Sequence, residues 1–371
     1  PDGAIELREF VFISSPWLQY PHGLCWLDEH TLVVANRQGQ LCRIEVPDAP
    51  PARELRVEAD CRIAGADQHL CAPGSVAVVP KGPGLAELFV CNNDAHHVTQ
   101  HLWRDGEGIV SSSRLVGWGL SIPDGVASSA DGRWLAVSNH NEQRVLVYEN
   151  HAGLSPESAP CATLLGASYP HGLRFTPDGS HLLAADAGEP LVHVFARPGG
   201  QWRGTLRPVR QARVMSDEVF LRGRDNPQEG GPKGLDIDRS GRVLALTSQE
   251  DPLAFFALAP LLNGSPAPDA PHPVSEPVPL DATLERHLAG LAREHRALQA
   301  QIREARAHGH ALAESLAQSE RAREEAARIQ ADQHAELHRT RQQWHAEVAA
   351  IRASRSWRVT RPLRALGRTL R

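Results

Sequence analysis

Two sets of polar residues recur at fixed positions along the sequence, and their side chains are of types that bind polar ligands or metal ions. The first set follows a repeated proline and comprises His22, Gly74, Asp124, His171 and Lys233. The second set ends a repeated apolar run and comprises Asn36, Asn92, Asn139, Asp186 and Thr247. If the fold brings both sets to the mouth of one channel, they form a site for a glycan or another small polar ligand. The predicted site residues are His22, Asn36, Asn92, Asp124, Asn139, His171, Asp186 and Lys233.

Part of this set also predicts a divalent metal ion. His22, Asp124 and His171 are acceptable zinc ligands, whereas the carboxylates and asparagines would suit calcium. The competing interpretation is structural, because Asn and Asp at strand ends commonly hydrogen-bond to the backbone of nearby turns. The sequence contains no nucleophile elbow, phosphate-binding loop or dinucleotide fingerprint, so it identifies no catalytic residue.

One pattern, repeated five times, sets the spacing of these residues. Each copy has a proline-led apolar run, a turn, a second apolar run that ends in a small polar residue, and a third strand. The copies begin at Pro21, Pro73, Pro123, Pro170 and Pro232. Their interval is close to the roughly 40 to 50 residues of a four-stranded propeller blade. Residues 1–260 are therefore predicted to form an all-β propeller, with five blades counted, or six if one blade is disguised.

The outer strands are harder to place than the inner ones. Residues 53–58 are predicted to be the fourth strand of the first blade. The fifth copy lacks its own fourth strand, and residues 5–13 could supply it and so close the ring. The long connection over residues 215–231 is expected on the channel face, where Arg222, Arg224, Asp225 and Glu229 could hydrogen-bond to sugar hydroxyls or carboxylates. The alternative is an ordinary insertion that its own salt bridges hold at the rim.

The stretches DGRWLAVSNHNEQRVLVYE (131–149) and YPHGLRFTPDGSHLLAADAG (169–188) resemble the NHL, YVTN and SMP-30/gluconolactonase group of propellers. This resemblance implies a propeller of six or seven blades. It also implies an alternative function, that of a lactonase whose divalent metal is held by a carboxylate and an Asn/Asp set. The Glu-Gly-Pro-x-Trp opening of those enzymes, which provides one ligand, is missing from this sequence.

The C-terminal third has a different composition. Residues 261–280 are a proline-rich linker, and residues 281–352 carry leucines at heptad spacing. The pattern predicts a long helix that associates with itself as a coiled coil; the alternative is a single solvated helix. Residues 353–371 form a basic amphipathic tail.

The tail sequence SRSWRVTRPLRALGRTLR resembles a Ser-x-Ser-Trp-Arg-x-Thr-x-Pro-Leu-Arg motif found after coiled coils in bacterial glycosyltransferases and methyltransferases of surface-polysaccharide synthesis. Its apolar and basic side chains suit an anionic membrane surface or a partner protein, such as one of those enzymes. The residues concerned are Trp357, Arg358, Arg361, Leu363, Arg364, Leu366, Arg368 and Leu370. Nucleic acid is not an expected partner, because no aromatic platform or reading motif accompanies the charge.

Composition limits the remaining possibilities. The net charge is -5, the hydrophobic content is 41%, and the six cysteines form no Cys-x-x-Cys pair. Reduced, partly buried cysteines are typical of a cytosolic protein. We therefore expect a cytoplasmic, non-catalytic binding or scaffold protein linked to bacterial polysaccharide synthesis, held peripherally at the inner membrane if its tail binds there.

Overall fold

A computed structural model describes residues 5, 11–49, 53–224, 228–263 and 282–355 of the 371-residue chain. The strands are, in chain order, β1 (Val11–Ser14), β2 (Pro21–Trp26), β3 (Thr31–Asn36), β4 (Gln40–Glu45), β5 (Arg53–Arg56), β6 (Arg62–Ala64), β7 (Pro73–Gly82), β8 (Leu85–Asn92), β9 (His97–Arg104), β10 (Gly108–Val116), β11 (Pro123–Ser128), β12 (Trp134–Asn139), β13 (Arg144–Glu149), β14 (Ala162–Leu165), β15 (Pro170–Phe175), β16 (His181–Asp186), β17 (Leu191–Ala196), β18 (Gly204–Leu206), β19 (Arg210–Arg213), β20 (Leu235–Ile237), β21 (Val243–Leu246) and β22 (Ala254–Ala257). The helices are α1 (Asp217–Arg222), α2 (Leu258–Asn263) and α3 (Ala282–Ala353), with 3₁₀ turns at Ala66–Gln68, His140–Glu142 and Pro198–Gly200.

Five antiparallel sheets form the five blades of a β-propeller, as the five sequence copies predict. Blade 1 is β2-β3-β4-β6, blade 2 is β7-β8-β9-β10, and blade 3 is β11-β12-β13-β14 with β18 added at its edge. Blade 4 is β15-β16-β17-β19, and blade 5 has three strands, β20-β21-β22. Asp-Gly turns close the first hairpins of blades 3 and 4, where Gly132 and Gly179 adopt φ of +67° and +65°. Glycine adopts this left-handed conformation without the steric cost that a Cβ imposes.

The register brings the start of each inner strand beside the end of the second strand. Pro123 pairs with Asn139 in blade 3, and Pro170 pairs with Asp186 in blade 4. Blades 1 and 2 show the same pairing. The two predicted sets of polar residues therefore lie at the same end of the channel.

Apolar clusters between neighbouring sheets hold the blades together. Separate buried clusters join blade 1 to 2, 2 to 3, 3 to 4 and 4 to 5. Trp134 and Trp202 are among the largest fully buried side chains, and both lie in the cluster between blades 3 and 4. Each such residue contributes about 1.5–3 kcal/mol of burial free energy, so the inter-blade clusters are the main source of stability.

The junction between blades 5 and 1 differs from the other four. Among the described residues, no apolar cluster spans it, and the inner strand of blade 1 leaves Leu24 and Trp26 at 59% and 46% exposure. An ion pair of 3.6 Å between Arg239 and Glu29 connects the two blades at their turns. In blades 1 to 4, a glycine of the inner strand packs against the inner strand of the next blade. The corresponding glycine of blade 5, Gly234, does not, because the three atoms nearest to a Cβ built on it all belong to blade 5.

One prediction about the outer strands is wrong. Arg53–Arg56 is not the fourth strand of blade 1; it pairs in parallel with Val11–Ser14, and Arg62–Ala64 takes the fourth position. The physical reason is apolar burial, because Ile13, Leu55 and their neighbours cover the face of blade 1 that carries Leu32, Val34 and Ile44. Residues 6–10 of the predicted strand 5–13 lie outside the described part of the chain, so the closure of blade 5 by that strand stays a prediction.

The described C-terminal elements are α2 and α3. Residues 261–263 belong to α2, not to the linker, because Leu258 and Leu261 are buried in the blade 4–5 cluster. The long helix begins at Ala282 and ends at Ala353, close to the predicted 281–352. Linker residues 264–281 and tail residues 356–371 lie outside the described part of the chain. None of the described helices has an apolar stretch long enough for a membrane crossing.

Candidate functional site at the channel mouth

Backbone irregularities at the start of the inner strands position the first set of polar residues. In blades 1 to 4, the strand pairing shifts register immediately after the anchoring proline, and His22, Gly74, Asp124 and His171 lie within these bulges. A β-bulge turns a side chain away from its regular direction, here toward the channel. Blade 2 has a glycine at this position because a Cβ on Gly74 would lie 2.2 Å from Asn93 Oδ1.

Asp124 is the centre of the site and is only 3% exposed. Its Oδ1 accepts hydrogen bonds from Arg37 Nη2 at 2.7 Å and Asn93 Nδ2 at 2.6 Å. Its Oδ2 lies 2.6 Å from His171 Nδ1. Burial alone would raise the pKa of Asp124, but the charge and hydrogen bond of His171, together with Arg37, hold this pKa well below its usual range. The carboxylate is therefore ionised and fully engaged by its neighbours.

His22 is held in one tautomer by two partners. Its Nδ1 lies 2.7 Å from the carbonyl oxygen of Gly74, and its Nε2 lies 3.1 Å from Arg37 Nη2. Nδ1 therefore donates and Nε2 accepts, which is the hydrogen-bonding pattern of a neutral imidazole. The pKa of His22 is lowered to about 4, chiefly by burial, in agreement with this tautomer.

A second group of titratable side chains lies beside His171. The His140 ring contacts the His171 ring edge-on, with 5.3 Å between centroids. His140 Nε2 lies 3.2 Å from Glu229 Oε1, and Lys233 Nζ donates to Glu229 Oε2 at 2.6 Å. The hydrogen bond from His140 is the largest of the effects that hold the pKa of Glu229 well below its usual range, and Lys233 adds to it.

These contacts make one network to which all five blades contribute. Blade 1 provides His22 and Arg37, blade 2 Asn93, blade 3 Asp124 and His140, blade 4 His171, and blade 5 Lys233. The His22 and His171 rings, from blades 1 and 4, are 5.7 Å apart between centroids. The network thus closes the channel mouth with polar side chains whose positions depend on the whole propeller.

Three members of the second predicted set, Asn92, Asn139 and Asp186, bind the backbone of the loops that connect the blades, whereas Asn36 Nδ2 donates to Cys42 Sγ within its own blade. Asn36, Asn92, Asn139 and Asp186 are completely buried. Asn139 Oδ1 accepts the Ser121 N–H at 2.7 Å, and Asp186 accepts the Ser168 N–H at the same distance. Asp186 also lies 2.8 Å from Nε2 of the buried His193. These contacts correspond to the structural interpretation of the set, and ligand contact by these side chains remains a prediction.

The residues that face the network come one position later in the chain. Arg37, Asn93 and His140 directly follow Asn36, Asn92 and Asn139, and the sequence interpretation missed all three. Successive side chains of a strand point in opposite directions, so an Asn that caps a loop directs the next side chain the other way. The signal was therefore present in the sequence, as a polar residue directly after each of the three predicted asparagines.

The proposed metal ligands can be tested against this geometry. The ligand atoms of His22, Asp124 and His171 lie within 4.8 Å of one another. However, Arg37 Nη2 lies between two of them, at 3.1 Å from His22 and 2.7 Å from Asp124, and so occupies the place of a cation. Calcium fits less well, because Asn92, Asn139 and Asp186 direct their oxygens to loop backbone.

The fold defines the class of protein: a five-bladed β-propeller. Comparison with protein-family models and with curated protein sequences finds no match. Among solved structures, the chain is similar to a chain of hydrazine synthase from Kuenenia stuttgartiensis, with 18% identity over 50% of this chain and 46% of that chain and a TM-score of 0.35. It therefore spans less than half of that chain.

A second similar structure is a nidogen/laminin complex, with 17% identity over 69% of this chain and 81% of that chain and a TM-score of 0.47. Likenesses at this level carry no inference about function, and the assignment of the fold rests on the strand topology. The resemblances to the NHL, YVTN and SMP-30 group and to the polysaccharide-enzyme tail stay predictions.

Proposed function

We propose that the propeller is a binding module that holds a small acidic ligand, such as a sugar acid, at the channel mouth. The supporting observation is an imbalance of hydrogen-bonding capacity. The accepting oxygens of Asp124 and Glu229 already bind Arg37, His171, His140 and Lys233. In the described part of the chain, Arg37 Nε and Nη1 have no partner, and Lys233 Nζ bonds only to Glu229. Unmatched donors favour a ligand rich in carboxylate and hydroxyl oxygens.

An aromatic side chain beside the network favours a sugar as the ligand that provides those oxygens. Tyr169 packs its ring against the edge of His140, with 4.5 Å between centroids. Tyr169 also precedes the inner strand of blade 4 and therefore belongs to the same rim as His171. Aromatic faces beside fixed donors suit the mixed apolar and polar surface of a saccharide.

The C-terminal helix supports a role in assembly. Leu337, Trp344 and Ile351 recur at heptad spacing, and each is more than half exposed on the helix. A second helix in a coiled coil would bury this stripe. Together with the resemblance of the tail to polysaccharide enzymes, this supports a scaffold that carries its ligand site to a cell-surface polysaccharide machinery.

A metal-dependent hydrolase of the lactonase type is the second candidate, favoured by the clustering of His22, Asp124 and His171. An enzyme of that kind should retain a stoichiometric divalent metal and lose lactone hydrolysis on chelation. Hydrolysis that persists in EDTA, or a protein without activity in either state, contradicts it.

The binding proposal can be tested through the two lysines of the chain. Lys233 is part of the network, whereas Lys81 lies on another turn, and their side chains are 36% and 40% exposed. Acetylation of the full chain in millimolar glucuronate or galacturonate, followed by mass spectrometry, should show protection of Lys233 and unchanged labelling of Lys81. The matching neutral sugars should protect less, because they lack the carboxylate that pairs with the donors.

Substitution provides the matched control. Lys233→Gln should remove any rise in melting temperature that the sugar acid produces, and Lys81→Gln should leave that rise intact. Equal labelling of Lys233 with and without every sugar acid would contradict the proposed ligand class.

A further inference from the structure

We propose that His140, His171 and Glu229 form a binding site for a divalent transition-metal ion, with zinc as its natural occupant, distinct from the His22, Asp124 and His171 cluster. The ligand atoms of the three residues lie within 4.8 Å of one another, and the two histidines are buried. His140 Nε2 and Glu229 Oε1 are already 3.2 Å apart. Two ligands of a tetrahedral zinc ion with bonds of about 2.0–2.1 Å are roughly 3.3 Å apart, so this pair needs almost no rearrangement.

The surroundings of the two histidines aim the correct nitrogens at this point. His171 Nδ1 bonds to Asp124 Oδ2 at 2.6 Å, and His140 Nδ1 lies 3.2 Å from the carbonyl oxygen of Pro170. Both Nδ1 atoms are thus held by oxygen acceptors, which leaves both Nε2 atoms to coordinate. This carboxylate or carbonyl to histidine to metal arrangement is the usual outer shell of zinc-binding histidines.

Glu229 is prepared for binding through a single oxygen. Its Oε2 accepts a hydrogen bond from Lys233 at 2.6 Å, which leaves Oε1 facing His140. The ion would replace the proton between Oε1 and His140 Nε2, and that proton would leave to solvent. The two carboxylates, Asp124 and Glu229, offset the positive charges of Arg37 and Lys233 beside the ion.

The donor set selects the class of metal. Two imidazole nitrogens and one carboxylate oxygen suit zinc, cobalt or iron, whereas calcium and magnesium prefer oxygen ligands throughout. Three protein ligands also leave the fourth tetrahedral position open. A ligand carboxylate in this fourth position would follow from the proposed function. The metal site itself does not depend on that function.

The test uses the full chain, stripped with EDTA and titrated with cobalt(II), whose tetrahedral complexes absorb visible light, and with zinc by calorimetry. We expect one equivalent of either metal. His140→Ala and Glu229→Gln should each weaken binding at least 10-fold and more than His22→Ala does, and the exposed His30→Ala should leave it within about 3-fold. Melting curves in EDTA establish whether each variant is folded. If His140→Ala does not fold, Glu229→Gln provides the test, because Glu229 lies in a connection between blades.

Three results would overturn this site: no metal bound by the parent, binding lost in His22→Ala but kept in His140→Ala, or equal loss in both. Lysine protection by sugar acids in the EDTA-treated protein separates this inference from the proposed function. Protection of Lys233 by sugar acids without metal binding contradicts only the metal site. Metal binding without protection of Lys233 contradicts only the proposed acidic ligand.

Discussion

Replacing Asp124 with Asn tests whether the polar network stabilises the propeller. The substitution keeps the shape of the side chain but removes the negative charge that Arg37 and His171 face at 2.7 and 2.6 Å. Breaking a buried ion pair costs about 3–5 kcal/mol. Arg37 remains 24% exposed and so keeps some solvation, which lowers the expected loss of unfolding free energy to about 2–4 kcal/mol. Urea unfolding followed by tryptophan fluorescence measures it.

The control is the ion pair of Arg133 and Glu149, with a similar distance of 3.0 Å but 45% and 44% exposure. Glu149→Gln should cost about 0–1 kcal/mol because water screens this pair. The double variant Arg37→Gln, Asp124→Asn should cost less than the sum of its single variants, because it leaves no unpaired charge. A loss for Asp124→Asn no larger than that of Glu149→Gln, or strict additivity in the double variant, would refute the reasoning.

Four further outcomes are expected. Gly179→Ala should lower the free energy of unfolding by about 1–2 kcal/mol, because the φ of Gly179 is +65° and the space around it is open. Gly125→Ala should prevent a normal melting transition, because its Cβ would lie 2.0 Å from a carbonyl oxygen of the next blade. The pKa of Asp238 is lowered to about 2, chiefly by a hydrogen bond from a hydroxyl of its own turn. The contribution of Asp238 to the melting temperature should hold above about pH 4 and disappear as the pH falls to 2. The melting temperatures of Asp238→Ala and the parent should therefore become equal near pH 2. Trp344→Glu should reduce the oligomer mass measured by light scattering if the helix pairs with itself. Removal of residues 353–371 should abolish salt-sensitive binding to anionic vesicles, and unchanged co-sedimentation would exclude that role of the tail.

Local patterns were enough to predict the inner part of each blade. The proline-led start, the apolar runs and the Asp-Gly turns reflect forces within about 20 residues, and the structure has the predicted five blades. Arg53–Arg56 was misplaced because it pairs with Val11–Ser14 across about 40 residues of chain. Such a choice depends on which apolar face remains to be covered, and a local pattern carries no information about that.

In the candidate site, too, local sequence patterns predict some side chains and miss others. The structure brings the bulged positions His22, Asp124 and His171 close together, and their role as a ligand site stays a prediction. Arg37 and His140 were missed because the Asn before each of them has the more suggestive side chain. For His140, the hydrogen bonds of Asn139 to loop backbone show which of the two adjacent residues points into the channel. Strand alternation predicts that one of them does so, and the loop geometry decides which.

The network at the channel mouth also connects the first blade to the rest of the ring. Four junctions between blades have apolar clusters, whereas among the described residues no such cluster spans blades 5 and 1, where Arg239 and Glu29 form an exposed ion pair. Arg37 of blade 1 reaches across the channel to Asp124 of blade 3, and this bond ties the first blade to the centre of the ring. A ligand or metal that binds this network binds only the folded ring, and so stabilises it by RT ln(1 + [L]/Kd), about 2.7 kcal/mol at 100 times Kd. Since an apolar cluster joins blade 1 to only one of its two neighbours among the described residues, protection from hydrogen exchange on ligand binding should increase in its inner strand, Pro21–Trp26.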